Sequence, residues 1–303
     1  MTFAERLAGL VEARGSQIVL GLDPDPARLW PEAVAQAPAD GPPARRAAAA
    51  VRAHCAALID AAGPACVAIK PQLACFERLG ADGWAALAAT AEHARAAGLL
   101  VLADGKRGDI SVSAAAYAQA LVGSTPTPFG EAPGLGADAF TANPLMGIDA
   151  LAPLVDGARA AGAGVFVLVR TSNPGAADVE DLELAGGGTV WERLARIVAD
   201  LGAAGAPGPL ADIGAVVGAT EPRHVARMRE LMPRAPFLLP GIGAQGGRVE
   251  DLAPAWAAGR AGGLVSASRS IANAYESGSA GGAPAAAARA EAERLRDGAW
   301  SLS

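Results

Sequence analysis

Residues 99–113, Leu-Leu-Val-Leu-Ala-Asp-Gly-Lys-Arg-Gly-Asp-Ile-Ser-Val-Ser, carry the densest chemistry in the chain. The apolar run 99–103 reads as a buried strand. It leads into Asp104, Lys106 and Asp109, with Gly105 and Gly108 between them. Residues two apart on an extended chain point the same way, so Asp104 and Lys106 are expected side by side. The two glycines are expected to let the backbone turn sharply after the strand. Two carboxylates beside one ammonium would hold a lysine charged and aim it. A solvated turn is the plain alternative, and lysine usage weighs against it. The chain has two lysines, Lys70 and Lys106, against twenty-three arginines. Lysine can release a proton inside a protein and arginine cannot. A lysine kept in so arginine-biased a chain points to that difference.

A second stretch suits phosphate. Gly241-Ile242-Gly243-Ala244-Gln245-Gly246 matches G-x-G-x-x-G, a weak signal alone. It follows the seventh apolar run rather than the first. No acidic residue ends the next run, where a ribose contact would belong; Arg269 stands there instead. In a barrel, the loops after strands seven and eight commonly bind phosphate. Glycines bring backbone N–H groups close to phosphate oxygens, and an arginine adds a forked, charged contact. A flexible loop plus a surface arginine is the alternative.

The elements that must position these groups follow a regular order. Eight apolar runs, at 17–22, 65–69, 99–103, 137–141, 165–169, 213–217, 237–239 and 263–267, mostly alternate with helical stretches. Helices are expected over 1–14, 44–62, 82–97 and 111–122, with a last helix ending near Arg296. Thr189-Val190-Trp191-Glu192 fits a capping box, and Thr220 fits an N-cap. Residues 123–136 read as a Pro/Gly-rich loop, and 277–288 as a segment mobile at its start. Strand–helix alternation implies parallel pairing with right-handed crossovers. One (β/α)8 TIM barrel over residues 1–303 is expected, with a doubly wound open sheet as the alternative. The polar and glycine residues follow the strands, at the end where barrel active sites lie.

Composition narrows the partners. Hydrophobic residues make up 51% and charged residues 18% of 303, which suits a large core. A net charge of −6 argues against general nucleic-acid binding. No apolar run approaches a membrane span, and residues 1–14 look like an ordinary helix rather than a leader. Cys55, Cys66 and Cys75 fit neither a disulfide framework nor a zinc spacing, so a reducing cytoplasm is expected. His54, His93 and His224 fall on expected helices, in packing roles. No metal-ligand spacing and no cofactor motif of any strength is legible.

Together these residues resemble the orotidine 5′-phosphate decarboxylases, in particular a longer bacterial second subfamily, over roughly residues 17–275. Asp104-Gly105-Lys106-Arg107-Gly108-Asp109-Ile110 is similar to that family's D-x-K-x-x-D-I signature. The segment 240–247 resembles its phosphate loop, and Ser268-Arg269-Ser270-Ile271 its last-strand arginine. Lys70-Pro71-Gln72, Phe76-Glu77 and Thr141-Ala142-Asn143-Pro144 look like second-subfamily features. The resemblance implies a cofactor-free decarboxylation of orotidine 5′-phosphate to UMP. It implies Lys106 as proton donor to C6 of the pyrimidine and Asp104 beside the substrate carboxylate. Asp109 would enter the site of the partner subunit in a homodimer, with Ile110 and Ser113 nearby. Asp23 and Lys70 would hold the ribose hydroxyls and complete an alternating charge array, Asn143 would contact substrate, and Ser172 would meet the pyrimidine amide edge. Gly243, Gln245, Gly246 and Arg269 would hold the phosphate. Three other readings remain: a Schiff-base aldolase using Lys70 or Lys106, a non-catalytic nucleotide-phosphate binder, and a nicotinamide oxidoreductase resting on the glycine match alone. The aldolase needs a lysine of depressed pKa, and flanking aspartates act the other way.

Overall fold

A computed structural model describes residues 1–219, 222–242, 246–277 and 283–303. Thr220, expected as an N-cap, and the segment 278–282 lie outside the described residues. Ten strands are described: β1 (Ile18–Leu22), β2 (Ala68–Pro71), β3 (Leu100–Arg107), β4 (Ser124–Thr127), β5 (Gly130–Pro133), β6 (Ala139–Ala142), β7 (Gly164–Arg170), β8 (Ile213–Val217), β9 (Phe237–Pro240) and β10 (Gly263–Ala267). Eight of them close a barrel in the order β1-β10-β9-β8-β7-β6-β3-β2. Every barrel pairing is parallel. The helices are α1 (Phe3–Arg14), α2 (Pro31–Ala35), α3 (Pro43–Ala62), α4 (Leu73–Glu77), α5 (Gly80–Ala96), α6 (Ser111–Leu121), α7 (Ile148–Ala160), α8 (Val190–Ala203), α9 (Pro222–Leu231), α10 (Arg269–Ala272) and α11 (Pro284–Leu302).

The strands are buried on both faces, which is why they read as unbroken apolar runs. Their side chains still alternate between two cores. Val19, Leu102, Phe166, Val216, Leu238 and Leu264 form an inner cluster with Phe3, Leu7 and Val11 of α1. Phe3 meets Phe166 edge-on at 5.9 Å, and α1 thereby closes the mouth where the strands begin. The opposite residues, such as Ile18, Leu20, Val165 and Val167, pack outward against Leu58 of α3, Leu151 of α7 and Leu295 of α11. With α1 across one mouth, the other end of the barrel, where the strands finish, is left for a site.

Several boundaries differ from expectation. The 123–136 stretch holds the antiparallel hairpin β4–β5. Its strands are almost wholly exposed, so no burial alternation marks them. Strand β3 runs four residues past Ala103, into the charged segment, and α11 continues beyond Arg296 to Leu302. The capping box at Thr189 and Glu192 forms as expected.

Candidate active site

Asp104 is the hub. Its Oδ2 accepts from Lys70 Nζ at 2.7 Å and from Gln72 Nε2 at 3.3 Å. Its Oδ1 accepts from Lys106 Nζ at 2.7 Å and from the Thr141 hydroxyl at 2.8 Å. Lys70 comes from β2, Asp104 and Lys106 from β3, and Thr141 from β6, all near the strand ends. The Asp104 side chain is 7% exposed and that of Lys70 9%, whereas Lys106 is 43% exposed. The array therefore has an open side at Lys106.

Electrostatics fix the charge states of the buried pair. Burial alone would push the Asp104 carboxyl up, but Lys70 and then Lys106 outweigh it and hold it far below the usual carboxylate range. Burial acts to lower Lys70, and the charges of Asp104 and Asp23 reverse this and raise it. Asp104 stays an anion and Lys70 a cation. Within one chain the array runs Lys70–Asp104–Lys106, one aspartate between two lysines. Asp109 accepts the backbone N–H of Ile110 at 2.7 Å, and Asp104 is the carboxylate that Lys106 meets.

Local backbone geometry explains the placement of Lys106, with a correction. The β3–β6 pairing runs Leu102↔Ala139 and Ala103↔Phe140, then resumes at Arg107↔Ala142. Asp104, Gly105 and Lys106 bulge opposite one residue, so simple strand alternation is not what aligns them. The left-handed backbone falls on Lys106 (φ 47°) and Ser111 (φ 45°), not on the two glycines expected to turn. Gly108 serves close approach: a Cβ there would sit 2.8 Å from the Asn143 carbonyl oxygen. Arg107 pairs with Glu77 and lies 5.4 Å over the Tyr117 ring, so it packs sideways, away from the array.

A cavity of about 90 Å³ joins the array to the expected phosphate end. Asp23, Lys70, Gly241, Ile242, Ser266 and Arg269 are among its lining residues. Arg269 is exposed at the first position of α10. That short helix is tied at its far end, where the Trp30 indole N–H donates to the Ala272 carbonyl at 3.0 Å. The Trp30 backbone N–H in turn donates to His54 Nδ1 at 3.2 Å. Gly243 and Gln245 lie outside the described residues. Gly246 has φ 87°, and Gly247 N–H donates to the Gly241 carbonyl at 3.0 Å, which closes the ends of the loop.

Ser172 is half-buried in the loop after β7. Arg170 holds Asp181 through two contacts, at 2.9 and 3.0 Å, and Thr171 N–H donates to Glu180 at 2.8 Å. Asn143 Oδ1 accepts from Leu145 N–H at 3.0 Å and shapes its own turn. Ile110 and Ser113 are exposed. The chain thus gathers Asp23, Lys70 and Arg269 around one cavity, with Lys70 tied through Asp104 to Lys106, and leaves Ile110 and Ser113 exposed and Asp109 half-buried. Sequence reasoning gave no role to Gln72 or Thr141. Both lie in segments that resemble the family's, and Thr141 is also a hydroxyl within an otherwise apolar run.

Among the described residues no cluster of three or more His, Cys, Asp or Glu could hold a metal ion, and no helix is long and apolar enough to cross a membrane.

Comparison with known proteins gives a consistent result. The pattern of the orotidine 5′-phosphate decarboxylase / HUMPS family matches residues 16–283. The orotidine 5′-phosphate decarboxylase of Deinococcus radiodurans is 41% identical over 298 residues, covering 98% of this chain and 96% of that one. That of Rhodopirellula baltica is 39% identical over 283 residues, 91% of this chain and 90% of the relative. The solved OMP decarboxylase of Leishmania donovani superposes with a TM-score of 0.73 at 32% identity, covering 99% of both chains. The chain belongs to the orotidine 5′-phosphate decarboxylase / HUMPS family.

Proposed function

We propose that this chain decarboxylates orotidine 5′-phosphate to UMP without a cofactor, as a carbon–carbon lyase of pyrimidine biosynthesis. The observation that carries the reading is the Lys70–Asp104–Lys106 array, joined by one small cavity to Arg269. Loss of CO2 from C6 leaves a carbanion with no adjacent carbonyl to delocalise it. The protein must meet that charge with fixed electrostatics. Lys106, the open member of the array, presents a positive charge and a proton where both are needed. General acid action is worth roughly 10²–10⁴-fold, so remote binding must add more. Asp104, held ionised, lies beside the substrate carboxylate. Asp23 and Lys70 take the ribose hydroxyls, Ser172 the amide edge of the pyrimidine, and Asn143 borders it. Arg269, with Gly243, Gln245 and Gly246, takes the phosphate.

The same proposal includes a homodimer of the longer bacterial subfamily, in which Asp109, Ile110 and Ser113 complete the neighbour's site. The exposure of Ser113 and of the apolar side chains Ile110 (55%) and Val112 (83%) supports it. Residues 1–303 act as one domain. A reducing cytoplasm suits Cys55, Cys66 and Cys75, all free. The raised, ion-paired Lys70 disfavours the aldolase reading, which requires a neutral nucleophilic amine. Lys106→Ala tests the assignment: turnover should fall by at least about a hundredfold while UMP still binds. Turnover unchanged in that variant would remove Lys106 from the chemistry.

A further inference from the structure

We propose that Thr141 is a positioning residue for the reaction, whose hydroxyl sets Lys106 and Asp104 in their working geometry; this rests on the decarboxylase reading. Three residues of β3 stand opposite Thr141 alone, because pairing breaks after Ala103↔Phe140 and resumes at Arg107↔Ala142. A bulge of this size takes backbone groups out of the ladder. The Lys106 N–H is one of them, and it donates to Thr141 Oγ1 at 2.8 Å.

The same hydroxyl gives its own hydrogen to Asp104 Oδ1 at 2.8 Å. That oxygen also receives Lys106 Nζ at 2.7 Å. The contacts close a ring: Lys106 backbone, Thr141 hydroxyl, Asp104 carboxylate, Lys106 ammonium. Both ends of the lysine are thus referred to one oxygen atom on the neighbouring strand. Lys106 adopts φ 47°, a backbone conformation that L side chains rarely take and that needs support from its surroundings. Thr141 is 1% exposed, so bulk water does not compete for its hydroxyl. No ribose or phosphate group assigned above touches it. Its effect should therefore fall on the chemical step rather than on binding.

The test is a pair of substitutions, assayed with orotidine 5′-phosphate. Thr141→Val keeps the shape and removes the hydroxyl; Thr141→Ser keeps the hydroxyl. Expected for Thr141→Val is a kcat about a hundredfold lower, with KM within about threefold of wild type, as small misplacements of reacting groups can produce. Thr141→Ser should stay within about threefold of wild type in both parameters. If Thr141→Val does not fold, as judged by thermal melting, Thr141→Ala takes its place with the same expectation. An undiminished kcat, an equal fall in the Ser variant, or a rise in KM with kcat unchanged would each overturn the proposal. Absence of turnover in the wild type would overturn the decarboxylase reading instead. In that event the crystal structure of the hydroxyl-free variant decides alone: the ring predicts loss of the left-handed Lys106 backbone, and its retention with the Lys106–Asp104 pair intact would overturn the role.

Discussion

At the scale of the residue, one buried carboxylate organises the site, and two cations keep it ionised. Remote charge should matter as much. If Arg269 holds the phosphate, Arg269→Ala should raise KM and also lower kcat, because phosphate binding supports the reactive arrangement. The nucleoside orotidine should then be a poor substrate for wild type. Equal kcat/KM for nucleotide and nucleoside would remove Arg269 from the phosphate site. His54 gives a pH prediction. Burial pushes it down to about 4 from 6.5, so the unfolded chain binds a proton between those values that the folded chain does not. Its contribution to stability is complete above about pH 6.5 and is lost as pH falls toward 4. Urea unfolding should find wild type about 2 kcal/mol less stable at pH 5 than at pH 7 through this group. His54→Gln should lose that part of the slope, and an identical slope in the two proteins would contradict it. Lys106 was legible in the sequence because lysine is so scarce there. The place of Lys70 in the array came only with the family resemblance, because no local spacing ties it to Asp104, 34 positions away on the neighbouring strand.

At the scale of the element, the site depends on where strands approach closely or break register. Apolar periodicity located all eight barrel strands, since burial on both faces leaves a plain signal. It missed the end of β3, because the last residues of that strand are charged and bulged, and it missed the exposed hairpin β4–β5. The glycines were seen, but their use was misjudged. Gly218 also serves close approach: a Cβ there would lie 2.9 Å from Ser172 Cα and 3.0 Å from its nitrogen. Neither backbone atom can step aside without moving the loop. Gly218→Ala should displace Ser172 and weaken binding of the pyrimidine, raising KM about tenfold or more with the barrel still folded. An unchanged KM would show that the loop yields freely or that Ser172 does not touch substrate.

At the scale of the whole molecule, a barrel closed at one mouth by α1 presents its site at the other, beside an apolar rim. Leu145 and Met146 after β6 are exposed there, along with Ile110 and Val112 after β3. A second copy would cover such side chains and bring Asp109 to the neighbouring Lys106. Lys106→Ala and Asp109→Ala should then each be nearly inactive and should complement when mixed under subunit exchange. Random exchange makes about half the dimers mixed, each with one intact site of two, so recovery should approach roughly a quarter of wild-type activity per site. A mixture that stays inactive after exchange is confirmed by mass spectrometry would confine Asp109 to its own chain. The barrel was legible from the strand order, and so was the end that carries the site.

If this array decarboxylates orotidine 5′-phosphate with protein groups alone, turnover needs no added metal or cofactor. The direct measurement is to add that nucleotide to the purified protein in excess EDTA, with no cofactor, and follow its ultraviolet absorbance. The absorbance should fall, with UMP and CO2 formed in equal amounts. No change in absorbance, or turnover only after a divalent ion or cofactor is supplied, would contradict it.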